Sequence, residues 1–303
     1  MRCGGALDRR QLLLAGAWAG LMAADARSDA PLQAIYPRLR ERPPAAYSYR
    51  LLALALQRSG VPHVLKLDGE EVSSRRAKSK LIAGDVTVMD AGASDYMSSQ
   101  CDVVPFPIDL GLGGCRLLIG RRDVLTRLNG VQTLADLQAF KFGQGLSWLD
   151  TRILRNAKLQ VEEGPFDSLL RMLHGGRFDL LPLGIDEAQD VLSSGQGQFP
   201  ELGIHQGLAL VYPYLRVFYV PKGQAALAAA IRTGLERASA DGSMQALLSS
   251  AGGIGPVLTG RRPVPARQIV LANPWLPSQL GAVNEELFHP ALRASLREAL
   301  ASR

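Results

Sequence analysis

From Leu32 onward, short runs rich in Val, Ile and Leu alternate with segments whose apolar residues recur at helical spacing. That alternation restricts the chain to helices packed on largely parallel, doubly wound sheets. Residues 32–36 read as a strand, and Tyr47, Leu51, Leu54 and Ala55 mark a helix running to Gly60. Residues 61–67 form a second strand. Ser73 or Ser74 then caps a polar helix that stops at Gly84, and residues 85–89 are expected as a third strand. A second unit of this kind starts near Leu117. In it, Thr133 and Asp136 have capping-box spacing, 141–142 leads into a glycine-bearing turn at Gly143-Gln144-Gly145, and a helix spans about 148–156. Strand, helix, strand and helix follow at 159–161, 166–174, 178–182 and 186–192.

Two extended, proline-marked stretches, 103–108 and 208–213, lead out of these units as crossover strands would. A strand at 217–220, the turn Pro221-Lys222-Gly223 and a helix with Leu227, Ile231, Leu235 and Ala238 on one face return the chain to its first unit. The expected organisation is an α/β fold of two lobes. The first is discontinuous, 31–108 with 213–285; the second is 109–212; a C-terminal helix lies in 286–303 with Leu292, Leu296 and Leu300 turned inward.

The N-terminus carries a targeting pattern: Arg9-Arg10, an apolar stretch over 12–24 too short to span a bilayer comfortably, and the small-x-small ending Ala24-Asp25-Ala26. Cleavage after Ala26 is expected, which makes 1–26 a signal peptide and the protein exported, to the periplasm. The arginine pair also resembles the twin-arginine export signal, although two arginines before an apolar run equally make an ordinary signal-peptide head. A retained membrane anchor is the alternative. No cysteine follows the apolar run, which argues against a lipoprotein.

An apolar content of 47% with 20% charged residues suits a folded, water-soluble body. Cleavage would remove Arg2, Arg9 and Arg10 together with Asp8 and Asp25, so the net charge of +6 changes by only one unit. A mild, dispersed excess of this kind does not call for nucleic acid. The densest basic run, Arg75-Arg76-Ala77-Lys78-Ser79-Lys80, reads as the solvated face of a helix. Cys101 and Cys115 would need the chain to fold back at Gly111, Gly113 and Gly114 to pair, since the extended segment would span up to about 46 Å. The four histidines, His63, His174, His205 and His289, show no ligand spacing, so neither a metal nor any other cofactor is expected.

The order of Gly143-Gln144-Gly145 before a helix, Gly176-Arg177-Phe178-Asp179 before a strand, and Pro221-Lys222-Gly223, Leu227, Leu235 and Asp241-Gly242 at the close resembles type 2 periplasmic solute-binding proteins. The resemblance is to the family that includes amino-acid receptors of ABC transporters, and it covers about residues 32–251. It implies two lobes joined by two strands, closing on a small polar ligand, with an inner-membrane permease or sensor as partner and the protein itself a monomer. In that family an arginine just after the third strand clamps a carboxylate. Here that stretch, Ala91-Gly92-Ala93-Ser94-Asp95-Tyr96-Met97-Ser98-Ser99, has no arginine. The family's aspartate for an amino group falls at Leu183-Gly184, with Asp186 and Glu187 a little later.

Ligands of open α/β sheets sit beyond the C-terminal ends of the strands, where free amides at helix N-termini favour anionic groups. The candidate ligand-binding residues are therefore Tyr36, Asp90, Ser94 and Asp95 on the first lobe and Gln144, Gly145, Ser147, Trp148, Asp150 and Thr151 on the second. Trp148 either stacks on the ligand or packs the lobe; Ser147 and Asp150 either bind or cap the helix. Catalytic readings find little support. Gly145-Leu146-Ser147-Trp148 lacks the second glycine of a nucleophile elbow, and Gly252-Gly253-Ile254-Gly255 runs into Pro256 and opens no phosphate-binding helix. Asp90 with Asp95, or Asp186 with Glu187, has the makings of an acid/base pair, yet carboxylates at helix starts are common caps. The function expected is capture of a small polar, carboxylate-bearing ligand for uptake. The alternatives are a dehydratase-like enzyme resembling the cyclohexadienyl dehydratases of this fold, and an exported sensory or interaction module.

Overall fold

The structure, a computed structural model, describes residues 1, 30–40, 47–195, 197–280 and 283–301. The expected signal peptide and its cleavage site lie outside the described residues.

The alternation seen in the sequence folds first into β1 (Leu32–Leu39), α1 (Tyr47–Ser59), β2 (His63–Val72), α2 (Ser74–Ala83), β3 (Met89–Gly92), α3 (Asp95–Gln100) and β4 (Cys101–Val104). It continues through β5 (Cys115–Arg121), α4 (Arg122–Arg127), α5 (Leu134–Leu137), β6 (Lys141–Gly145), α6 (Leu149–Asn156), β7 (Gln160–Gly164), α7 (Leu169–His174), β8 (Leu180–Gly184), α8 (Ala188–Gly195) and β9 (Leu202–Val211). The chain then returns as β10 (Arg216–Pro221), α9 (Ala225–Ala240), α10 (Ser243–Ser249) and α11 (Gly255–Leu258), and ends in β11 (Arg267–Val270) and α12 (Arg293–Ala301).

One lobe is built on the parallel pair β1–β2 and on β3-β10-β4, in which β10 runs antiparallel between its neighbours. The other is the six-stranded mixed sheet β11-β9-β5-β8-β6-β7. Residues 105–114 and 212–215 connect the two. Apolar packing does not stop at these crossovers: Phe106, Ile108, Leu112 and Leu215 are buried in them, and one continuous apolar cluster runs from the first lobe onto one face of the six-stranded sheet. A second cluster, including Leu118, Phe142, Leu154 and Leu210, covers the sheet's other face.

Local signals act where the sequence placed them. Ser73 caps α2 by accepting the Arg76 N–H, and Gly84 ends that helix at φ 84°. Thr133 and Asp136 form the capping box. Arg75 and Arg76 are exposed as a solvated face should be, whereas Lys80 turns inward onto Asp68 and Glu70. Cys101 and Cys115 are both buried free thiols, and burial pushes the Cys115 thiol up to about 12.

Four expectations are corrected. Residues 85–88 do not belong to the third strand, because Thr87 and Val88 donate their N–H groups to the single carbonyl of Ile35 while the Thr87 hydroxyl bridges Gln33 O and Ile35 N. The ladder begins only at Met89. Gly143-Gln144-Gly145 is not a turn but part of β6 itself; without Cβ atoms, the rings of Phe178 and Trp148 lie directly on Gly143 and Gly145. Residues 208–211 belong to the ten-residue strand β9, so the second crossover is short. Finally, Arg267–Val270, expected with the first lobe, pairs in parallel with 208–211 and extends the six-stranded sheet. Its register places Ile269 in that sheet's core.

Candidate functional site

Strands β3, β6 and β8 end in Gly92, Gly145 and Gly184, and each of these bare ends is covered by a side chain of the protein itself. Trp148 lies on Gly145. The ring of Tyr214, from the second crossover, lies on Gly92. The Asp186 carboxylate stands where a side chain on Gly184 would project. Around these three points the two lobes meet in a cluster of charged and phenolic groups.

On the first lobe, Arg216 opens β10 directly opposite Gly92 and pairs with Asp90 at 3.0 Å. Asp90, whose side chain is fully buried, also accepts the Tyr36 hydroxyl, which lies 2.9 Å from the Ser48 hydroxyl. On the second lobe, Arg116 near the start of β5 pairs with Asp150 at 2.7 Å and with Glu187 at 3.5 Å, and Tyr212 donates to the same Asp150 carboxylate. The Arg116 guanidinium stacks on Tyr214 at 4.5 Å and on Tyr212 at 5.4 Å from the ring centres.

Burial works against both guanidinium charges, but the surroundings more than offset it, so both pKa values are raised: by Asp150 chiefly for Arg116, and by Tyr47, Asp90 and Asp186 for Arg216. Burial raises the Tyr47 phenol, and burial followed by the Asp186 charge raises Glu187. At the first crossover, Asp109 accepts the N–H groups of Gly111 and Gly113, each at 3.0 Å. Burial nevertheless lifts it to about 6, against the pull of Arg216 and these two amides. Several buried polar atoms remain without a partner: the Tyr47 hydroxyl, Asp186 Oδ1, Gln144 Oε1, Thr151 Oγ1 and the Nε atoms of both arginines. Such atoms are costly to leave bare, and they cluster at binding sites.

The expected ligand residues divide accordingly. Tyr36 and Asp90 meet on the first lobe, and Asp150 joins the second-lobe cluster, where it neutralises Arg116. Ser94 caps α3, and Asp95 stands exposed in the first turn of that helix. Of the amides expected to be free before α6, three are engaged: Leu146 N–H with Gly164 O, Ser147 N–H with Glu163 and Trp148 N–H with Gly145 O. Ser147 itself is held at φ 63°, in the left-handed region, and exposed. Trp148 packs on Gly145 and against Phe166 at 6.0 Å between ring centres. Gln144 donates from Nε2 to Pro182 O. The sequence reading missed Arg116, Arg216, Tyr47, Tyr212 and Tyr214. The arginines carried a signal: each directly precedes an apolar run in its strand, Arg116-Leu117-Leu118-Ile119 and Arg216-Val217-Phe218-Tyr219.

No family model and no curated protein sequence matches the chain. Solved structures do. An ancestral arginine-binding protein bound to arginine aligns over 73% of this chain and 98% of its own at 16% identity, with a TM-score of 0.54. The chain has the type 2 periplasmic solute-binding fold. An arginine-specific periplasmic binding protein of Salmonella typhimurium matches at 12% identity over 73% of this chain and 99% of its own, TM-score 0.52. A histidine kinase sensor domain with similarity to periplasmic binding proteins matches at 18% identity over 75% and 98%, TM-score 0.55. Within this fold, the Asp186 carboxylate lies over Gly184, and Arg216 stands opposite Gly92 in the arginine-free stretch after Asp90.

Proposed function

We propose that the protein is an exported solute-binding protein that captures a small amino-acid-type ligand between its two lobes. Arg216 takes the ligand's carboxylate and Asp186 its ammonium group, with the rings of Tyr47 and Tyr214 beside them. The observation that carries this reading is the placement of Asp186: its carboxylate fills the space of a side chain at Gly184, and its Oδ1 is buried with no partner. An ammonium group would satisfy it. Arg216 supplies the opposite charge from β10, in the other lobe's sheet, and its bare Nε leaves a donor for a carboxylate. The lobes close about 105–114 and 212–215, in the periplasm, and the loaded protein is presented to an inner-membrane ABC permease.

A sensory role without uptake is the second reading, favoured by the similarity to the sensor domain, which is slightly above that to the arginine-binding protein. In either role the binding step is the same. A thermal-shift screen of the mature protein against amino acids, polyamines and small carboxylates tests it, because a ligand that binds only the folded state raises Tm by mass action. Amino acids bearing both charged groups should raise Tm, and their Asp186→Asn response should vanish. Conversion of any of them to product would instead favour an enzyme, and no shift with any compound would end the proposal.

A further inference from the structure

A second constellation stands apart from the lobe junction, toward the other end of β9. Between the pairs Leu117↔Ala209 and Ile119↔Ile204, residues 205–208 of β9 stand opposite the single residue Leu118 of β5. Such a bulge gives up ladder hydrogen bonds and re-aims the side chains on it. Here it opens a groove of about 320 Å³ between the bulge, α4 with the turn after it, and the head of β11. That volume suits a small molecule.

Two cationic or basic groups line this groove without an acidic partner. Arg267 reaches only the carbonyls of Asn129 at 3.3 Å and Leu128 at 3.4 Å; its Nε is buried with no partner, and it makes no ion pair with the described residues. His205, 7% exposed, uses Nε2 on Asn129 Oδ1 at 3.1 Å, while its Nδ1 is buried and unpartnered. With Nε2–H donating, the neutral ring presents Nδ1 as an acceptor that no donor reaches, in the groove that Arg267 also lines. Burial first, and then the Arg267 charge, lowers the imidazole pKa. An anion in the groove would reverse this: it would pair with Arg267 and draw a proton onto Nδ1, turning it into a second donor. Gln206 and Thr126 line the same walls, the Thr126 hydroxyl donating to Arg122 O, and Leu125 and Ile204 supply an apolar side.

We infer that the β9 bulge is a binding site for a small oxyanion, a carboxylate or a phosphate, held by Arg267 and by His205 in its protonated form. This site is independent of the ligand proposed between the lobes. The test is the His205 pKa, followed by NMR of the imidazole signals in the whole mature protein, with the His205→Gln variant used for assignment. Sodium acetate and sodium phosphate are titrated in turn against sodium chloride at equal ionic strength. A saturable rise of about one unit with acetate or phosphate, absent with chloride, is expected, and whichever anion saturates first identifies the chemistry. Arg267→Gln should weaken that saturation at least about tenfold. Gln206→Glu changes an exposed residue and so keeps the fold; its own carboxylate should raise the His205 pKa and abolish the response to added anion. A His205 pKa that follows ionic strength alone, or that responds equally in Arg267→Gln, would overturn the site.

Discussion

Arg116 and Arg216 are both buried and both paired with an aspartate, yet the two clusters are not finished to the same degree. Arg116 has Asp150 at 2.7 Å, Glu187 at 3.5 Å and two tyrosine faces, and Asp150 in turn accepts the Tyr212 hydroxyl. Among the described residues Arg216 pairs with Asp90, and it faces a Tyr47 hydroxyl and an Asp186 oxygen that nothing satisfies. The Nε of Arg116 is as bare as that of Arg216, but a buried charge whose carboxylate partner is itself held by further groups serves structure. One whose neighbours are left bare has capacity for something that arrives later. The second-lobe cluster is therefore read as scaffold and the first-lobe cluster as site.

The largest expected effect separates them. Arg116→Met strands Asp150, whose side chain is 5% exposed, and should cost about 3–5 kcal/mol in urea unfolding. Arg216→Lys keeps a cation beside Asp90 but loses the planar fork. It should fold, with Tm within a few degrees of the parent, and lower affinity for any amino-acid ligand at least about tenfold in calorimetric titration. Equal losses of stability and binding in both variants would erase the distinction.

Next comes pH. Burial holds the folded-state pKa of Asp109 at about 6, above the ordinary 3.8 of an aspartate, so the unfolded chain gives up this proton first as pH rises. The contribution is fully present below about pH 4 and is lost as pH climbs through 6, at most about 3 kcal/mol. Asp109→Asn should flatten that part of the stability profile between pH 4.5 and 7, measured by urea unfolding. This places the titrating hinge group in the first crossover and not in either arginine cluster. The smallest effect belongs to an exposed pair: Lys222–Asp102 at 2.9 Å, with side chains 54% and 35% exposed, should be worth no more than about 0.5 kcal/mol in a double-mutant cycle.

Much of the fold was legible because periodicity and caps act locally. The Ser73 and Gly84 ends of α2 and the box at Thr133 follow from residues within a turn of each other. What failed was set by distant contacts: Thr87 bonding to β1, the rings of Phe178 and Trp148 converting a glycine run into strand, and the pairing of β11 with a strand some sixty positions earlier. The site was legible only in part for the same reason. Tyr36 and Asp90 could be placed at strand ends and Asp150 at a helix start, but the arginines that meet Asp90 and Asp150 come from β10 and β5, and their role depends on strand pairing. Asp186 comes a little after Leu183-Gly184, where the resemblance puts an aspartate, and the backbone after β8 turns it back onto Gly184.

The most direct test of the account is a crystal structure of the mature protein with the amino acid that raises Tm most. The expected density has the ligand's carboxylate on Arg216 and its ammonium on Asp186, with the Arg116–Asp150 pair unchanged. A ligand held by Arg116 instead, or one bound away from the junction of the lobes, would contradict it.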